Sequence, residues 1–124
     1  MITVVGLGCS PEDLTQSGRR AILSGARVIL RTGETPAAEG VRALGVPFET
    51  LDALYEKSRN FDTLNKKLTA AVLDAAKEGD VVYCVDGSVS DDVSAQTVLH
   101  KSTSARAVPG VSNADAAFAA DRQG

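Results

Sequence analysis

Three short apolar runs in this sequence each end in a turn that carries glycine, and each turn precedes a segment with helical spacing. The turns lie at residues 6–10, 86–88 and 108–112. Parallel strands joined by right-handed crossover helices bring such turns to one edge of the sheet. The carboxyl ends of the strands open there into a ligand crevice. We therefore expect the function at that edge.

The rest of the chain continues the alternation of strand and helix. Strand-like runs occur at residues 2–5, 27–30, 46–49, 80–85 and 105–108. Helical spacing occurs at residues 14–25, 39–44, 52–60, 62–79, 91–99 and 112–120. This pattern predicts an α/β fold, a doubly wound five-stranded parallel sheet with helices on both faces. Pro47 places the third strand at a sheet edge. Thr15 and Ser112 are predicted N-caps, and Asp91 and Asp92 fall in the first turn of their helix.

Composition excludes several classes of protein. The 124 residues suit one domain, and a net charge of -3 with a pI near 5.1 gives no footprint for DNA or RNA. No stretch approaches the roughly 20 apolar residues of a membrane span. Met1 leads into a strand without a charged leader. We expect a cytoplasmic protein with neither a nucleic acid nor a membrane as partner.

The two cysteines, Cys9 and Cys84, are too few for a disulfide framework and lack the spacing of a zinc site. No metal site is predicted. A redox pair stays open as an alternative, whereas a reducing compartment favours two small hydrophobic residues.

A phosphate or dinucleotide site is the usual interpretation of a glycine turn after the first strand, because backbone amides attract anions. Here the G-x-G-x-x-G pattern is broken, because Pro11 stands where the third glycine is required. Arg31 and Thr32 stand where a ribose-binding acid is expected, and no G-x-x-x-x-G-K-[ST] sequence is present. A nucleotide-binding oxidoreductase is therefore disfavoured.

Carboxylates gather around the fourth strand's turn, at Asp86, Asp91 and Asp92. Such a group repels phosphate and tolerates a cation. Each residue also has a simpler interpretation, since acidic residues favour the start of a helix. Glycines 6, 8 and 87 are likewise explained by the tight turns that any such sheet needs.

Three motifs in order carry a family resemblance, at residues 1–8, 80–87 and 108–112 with the Ala-rich helix that follows. Together they resemble the amino-terminal domain of the tetrapyrrole (corrin/porphyrin) methylases. Residues 48–55 and 60–62 are most similar to the methylase-like domain fused to MazG-type nucleotide pyrophosphohydrolases.

The resemblance implies an S-adenosylmethionine-dependent methyltransferase whose sheet has the order 3-2-4-1-5. The three turns would then converge, and the cofactor would lie between two domains, held mostly by backbone groups. No catalytic side chain is expected, because the sulfonium is already activated. The residues expected to contact or shape this cofactor site are Gly6, Gly8, Cys9, Asp86, Gly87, Ser88, Val93, Pro109, Gly110 and Ser112.

The chain departs from the family pattern in two turns. Cys9 and Ser10 stand where Pro-Gly is usual, and Ser88 and Val89 stand where Asp-Pro is usual. These changes favour an alternative, a non-catalytic binding or regulatory module with a decayed methylase site, attached to a nucleotide pyrophosphohydrolase. The intact motif at residues 108–112 favours a methyltransferase.

Domain content and partners follow from the same resemblance. Residues 1–124 are expected to form a single amino-terminal methylase-like domain, with the second, carboxy-terminal methylase domain absent. The chain would then be a fragment that is inactive alone. Its partner would be a small-molecule methyl acceptor, a tetrapyrrole being one candidate, and a homodimer is open because family members are commonly dimers.

Overall fold

A computed structural model describes residues 1–109 of the chain. The strands are β1 (Ile2–Gly6), β2 (Arg27–Leu30), β3 (Glu49–Thr50), β4 (Val81–Val85) and β5 (Arg106–Val108). The α-helices are α1 (Gln16–Ile22), α2 (Ala38–Arg42), α3 (Asp52–Glu56), α4 (Phe61–Ala76) and α5 (Val93–Lys101). Short 3-10 turns occupy Pro11–Asp13 and Val89–Asp91.

The five strands form one parallel sheet in the order β3-β2-β4-β1-β5, which confirms the predicted fold and strand order. Strand β1 lies between β4 and β5, so the turns that follow these three strands share one edge of the sheet. We call this edge, at the carboxyl ends of the strands, the carboxyl edge.

Strand β3 lies at the sheet border, as Pro47 predicts, but it begins later than the predicted run at residues 46–49. Only Glu49 and Thr50 pair with β2. Proline lacks the amide hydrogen that a ladder uses. Val46 and Phe48 instead pack against the core from outside the ladder.

Two hydrophobic clusters cover the two faces of the sheet, because alternate side chains of a strand point to opposite faces. Val4, Ile29 and Tyr83 belong to one cluster, which includes residues of α4 and α5. Val5 and Cys84 belong to the other, which includes residues of α1 and α2. Strands β1 and β4 are buried along their whole length, as expected for the centre of a parallel sheet.

The helix starts agree with the sequence in one case and correct it in another. The Thr15 side chain accepts a hydrogen bond from the Gly18 amide, which confirms the predicted N-cap of α1. Asp91 and Asp92, however, do not lie inside the first turn of α5. Asp91 ends a 3-10 turn, and Asp92 is the N-cap, because its carboxylate accepts from the Ala95 amide.

Several expectations concern residues 110–124, which lie outside the described residues. They are the final helix capped by Ser112 and the site roles of Gly110 and Ser112. Within residues 1–109, no helix has the length and apolar character needed to cross a membrane.

Candidate functional site at the carboxyl edge

The turns that follow β1 and β4 are bonded to each other. The Gly8 amide donates to the Gly87 carbonyl at 3.0 Å, and the Gly87 amide donates to the Gly8 carbonyl at 2.6 Å. Both glycines have left-handed backbone angles, φ +76° and +74°. The structure thus brings two of the three predicted turns into direct contact.

The amides of the first turn are satisfied within the chain. Asp13 accepts hydrogen bonds on Oδ2 from the amides of Cys9 at 2.9 Å and Ser10 at 3.2 Å. A Cβ on Gly8 would overlap the Asp13 side chain, so glycine is needed there for close approach as well as for its φ. Sequence reasoning missed this role of Asp13, although its spacing from Ser10 is that of a capping box. With Asp13 in place, this turn does not offer a phosphate the usual amide donors.

Arg31, the residue that follows β2, joins the acidic turn. Its guanidinium lies 3.4 Å from the Asp86 carboxylate and 3.2 Å from that of Asp92. The Arg31 side chain is 21% exposed and that of Asp92 only 9%. In the sequence, Arg31 only argues against a ribose site. Arg31 follows an apolar run at the carboxyl end of a parallel strand, and this position could have predicted that it lies at the carboxyl edge.

A chain of hydrogen bonds holds Asp92 in place from the core side. Ser94 donates to Asp92 Oδ1 at 2.5 Å, and the Tyr83 hydroxyl lies 2.8 Å from the Ser94 oxygen. Because Ser94 donates to Asp92, Tyr83 donates to Ser94. Burial raises the pKa of Tyr83 well above its usual value, so this phenol keeps its proton. Asp92, and through it Arg31, is therefore fixed to the buried strand β4.

The acidic group of the fourth turn is only partly neutralised. Arg31 balances one of the two charges on Asp86 and Asp92, and Asp91 is exposed with no ion pair to another described residue. Carboxylate oxygens are hydrogen-bond acceptors, so the edge offers acceptors and negative charge. This arrangement suits a positively charged group better than a phosphate.

The other predicted residues are distributed along the same edge. Gly6 is buried where β1 ends, and Ser88 is buried with its hydroxyl 2.8 Å from that of Ser90. Val93 begins α5 and is 61% exposed. Pro109 follows β5 and is exposed beside β1. The described residues of the three turns therefore lie at the ends of three adjacent strands.

The residues present are compatible with the cofactor that the resemblance implies. A Cβ built on Gly87 meets no atom within 4 Å, so the bonded turns face open space at that point. Asp86, the residue before Gly87, is partly exposed and could accept a hydrogen bond from an ammonium group, and Asp91 is exposed in the 3-10 turn that follows. Within residues 1–109, no cluster of three side chains suited to a metal ion occurs.

A second set of polar contacts joins the loop after β2 to helix α3, on the other side of Arg31 from Asp86 and Asp92. Asp52, the first residue of α3, accepts from the Thr32 hydroxyl at 2.5 Å and from the Gly33 amide at 3.1 Å. The ring of Tyr55, also in α3, lies over the Arg31 guanidinium with 5.6 Å to the ring centroid. Helix α3 thus covers Arg31 at the carboxyl edge.

Comparison with known proteins gives two results. The sequence profile of the family described as Tetrapyrrole (Corrin/Porphyrin) Methylases matches residues 1–123. A protein of Bacillus subtilis (strain 168) described as "Uncharacterized protein YabN" is 32% identical over 87 residues, which are 69% of this chain. The chain spans 18% of the length of that relative.

Proposed function

This chain belongs to the tetrapyrrole (corrin/porphyrin) methylase family, and we propose that the turns of its carboxyl edge form part of a binding site for S-adenosylmethionine. Family membership indicates a methyltransferase of the S-adenosylmethionine-dependent type. The residue-level assignment, the acceptor and the completeness of the site are our proposals.

The contact between Gly8 and Gly87 carries the proposal. It joins the turns of two adjacent strands beside open space, while Asp13 satisfies the neighbouring amides. The turn after β4 carries three carboxylates, on Asp86, Asp91 and Asp92, against the single cation of Arg31, so a net negative charge remains at this edge. A ligand with a sulfonium and an ammonium group matches that charge, whereas a nucleoside phosphate does not.

The residues of this chain would act by binding and orientation. S-adenosylmethionine supplies an activated methyl group, so transfer requires mainly that the acceptor, methyl and sulfur are aligned. Gly87, which has no side chain, leaves room for the ligand at this turn, and Asp86, held by Arg31, provides a fixed negative charge. Roles limited to binding and orientation are consistent with the sequence, which predicts no catalytic side chain.

We further propose that methyl transfer needs polypeptide in addition to these turns, and that the acceptor is a small molecule, with a tetrapyrrole as one candidate. The match to 18% of the Bacillus relative is compatible with a domain that works within a larger protein. A homodimer is a second way in which another wall of the site could be supplied.

The alternative function is a regulatory module attached to a nucleotide pyrophosphohydrolase. The altered residues Cys9, Ser10, Ser88 and Val89 favour it. So does the use of the Gly8 and Gly87 amides and carbonyls in bonds to each other, because these groups are not free to hold a ligand.

Calorimetric titration of this chain with S-adenosylmethionine and S-adenosylhomocysteine separates the two functions, with ATP as the phosphate control. We expect binding of the methyl donor at millimolar concentration or below and no binding of ATP at this edge. Absence of binding by both adenosyl compounds would favour the regulatory module.

A further inference from the structure

Thr3 is the one polar side chain of β1, and only 6% of its surface is exposed. Because side chains alternate along a strand, Thr3 lies on the same face as Val5, towards α1 and α2. Its oxygen accepts a hydrogen bond from Arg106 Nε at 3.3 Å. Within residues 1–109, its hydroxyl hydrogen has no acceptor. A hydroxyl can both accept and donate, so Thr3 has a bond left to make.

The register of the sheet sets Thr3 in a row that crosses three strands. Val82 of β4 lies on one side of Thr3, and Arg106 of β5 lies on the other. Residues in register in a parallel sheet point their side chains to the same face. Along this row the surface therefore changes from apolar, through a hydroxyl, to a guanidinium.

A cavity of about 460 Å³ is lined by all three of these residues. It lies at the amino ends of the strands, opposite the carboxyl edge, and we call it the amino-edge cavity. Ala26 adds another apolar side chain to the lining. Volumes of roughly 300–1,000 Å³ are typical of small-molecule sites. Within residues 1–109, none of the residues expected at the cofactor site lines this cavity.

The charges around the amino-edge cavity leave one cation without a partner. The amino group of Met1 pairs with Asp80 at 3.1 Å. Arg27 pairs with two glutamates that do not line the cavity. Arg106 makes no ion pair with another described residue, and its two Nη groups make no hydrogen bond within residues 1–109. The cavity therefore offers one uncompensated positive charge.

We propose that the amino-edge cavity binds a small monocarboxylic acid with an apolar body. The Nη groups of Arg106 and the Thr3 hydroxyl donate to the carboxylate, and the apolar body packs on Val82 and Ala26. This site does not rest on the proposed function, because it lies at the opposite edge of the sheet and uses none of the cofactor residues.

The chemical class follows from the groups that lack partners. Guanidinium and hydroxyl hydrogens are donors, so the ligand must supply acceptors. The two Nη groups of a guanidinium match the two oxygens of a carboxylate, and the charge strengthens these hydrogen bonds. A multiply charged phosphate gains less, because Arg27 and the Met1 amino group are already paired.

Butyrate and butyramide are matched probes, since they share shape and differ in charge. NMR titration of the isotopically labelled chain at constant ionic strength follows the Arg106 Nε–H and the Ala26 amide. We expect butyrate to shift both signals with a Kd on the order of 10 mM, and butyramide and inorganic phosphate to bind several-fold more weakly. Arg31, at the carboxyl edge, is the internal control, and its Nε–H should not move.

Arg106→Met and Arg20→Met give a matched pair of variants. Both arginines are exposed, but Arg20 lies in α1 and does not line the cavity. Arg106→Met should weaken butyrate binding at least about 5-fold, because the ligand loses a charge-assisted hydrogen bond. Arg20→Met should leave the affinity unchanged. Each variant should keep its Tm within about 2 °C of the unsubstituted chain, since neither residue is buried.

Thr3→Val and Thr3→Ser test the hydroxyl separately from the charge. Thr3→Val keeps the size of the side chain and should weaken butyrate binding about 3-fold without lowering Tm, whereas Thr3→Ser should retain the affinity. Three results would each overturn the site: no saturation by about 100 mM butyrate, equal binding of butyramide, or unchanged affinity in Arg106→Met. Tighter binding of phosphate than of butyrate would overturn the assignment to a monocarboxylic acid.

Discussion

Gly8 and Gly87 exchange two backbone hydrogen bonds and thereby make the turns after β1 and β4 a single unit at the carboxyl edge. Each glycine has a positive φ that residues with a side chain rarely adopt. At Gly8 the missing side chain admits Asp13, and at Gly87 it leaves open space. The same residue type therefore serves internal packing in one turn and access in the other.

The first prediction concerns Gly87→Ala, with Gly45→Ala as its control. Both glycines have φ +74°, and a Cβ at either meets no atom within 4 Å. Each substitution should therefore cost a similar free energy of unfolding, about 1 kcal/mol, from backbone strain alone. Only Gly87→Ala should also weaken S-adenosylmethionine binding, because Gly45 follows α2 and belongs to none of the three turns.

Urea unfolding and calorimetry on the two variants check this prediction. Equal affinity of both variants for S-adenosylmethionine would argue against a ligand at the Gly87 turn.

The second prediction concerns Arg31→Met, with Arg27→Met as its control. Loss of Arg31 leaves the carboxylates of Asp86 and Asp92 uncompensated, and the Asp92 side chain is only 9% exposed. We expect a loss of about 2 kcal/mol in the free energy of unfolding. Arg27 pairs with the exposed Glu49 and Glu78, and because solvent screens such surface pairs its loss should cost much less than the loss of Arg31.

Chemical denaturation at low and moderate salt measures both changes. A smaller loss for Arg31→Met than for Arg27→Met would mean that the contacts of Arg31 do not stabilise the carboxyl edge.

The third prediction is a pH dependence at Asp52. Burial by itself raises the pKa of this carboxyl, but hydrogen bonds from Thr32 and Gly33 outweigh it and hold the pKa below its usual value. The unfolded chain then binds this proton first as pH falls. The stabilisation is therefore present above about pH 4 and is lost as pH drops through the folded pKa.

Carbon-detected NMR titration of the Asp52 carboxyl measures this pKa, and unfolding at several pH values measures the linkage. Asp52→Asn should flatten the loss of stability below about pH 4 relative to the unsubstituted chain. An Asp52 pKa at or above its usual value would contradict the bonds to Thr32 and Gly33.

The fourth prediction concerns the two free thiols. Cys9 is exposed, whereas Cys84 is buried and its burial raises the pKa to about 12. Because the thiolate is the reactive form, iodoacetamide should modify Cys9 in the folded chain and leave Cys84 intact. Mass spectrometry of digests before and after unfolding tests this, and early modification of Cys84 would contradict its burial.

The architecture could be predicted largely from the sequence because its signals are local. The apolar run that became β4 and the Thr15 cap are readable in a few consecutive residues. The strand order came from the family resemblance, since periodicity does not reveal which strands are neighbours. Strand β3 was misplaced because Val46 and Phe48 have a strand-like pattern yet contribute packing without ladder bonds.

The site was predictable in outline and not in its contacts. Gly8 and Gly87 could be placed at one edge, but their bonds to each other depend on tertiary structure. The contact of Arg31 with Asp86 also depends on tertiary structure, because the two residues are 55 positions apart in the sequence. Local spacing identifies donors and acceptors, whereas the fold decides which of them pair.

The most direct test of the account is NMR mapping of S-adenosylhomocysteine binding on this chain. We predict amide shifts concentrated at Gly6, Gly8 and Cys9 and at Asp86 and Gly87, with a Kd in the millimolar range or below. Shifts confined to the opposite edge, around Gly25 and Asp80, or no shifts at about ten times that concentration, would contradict a cofactor site at the carboxyl edge.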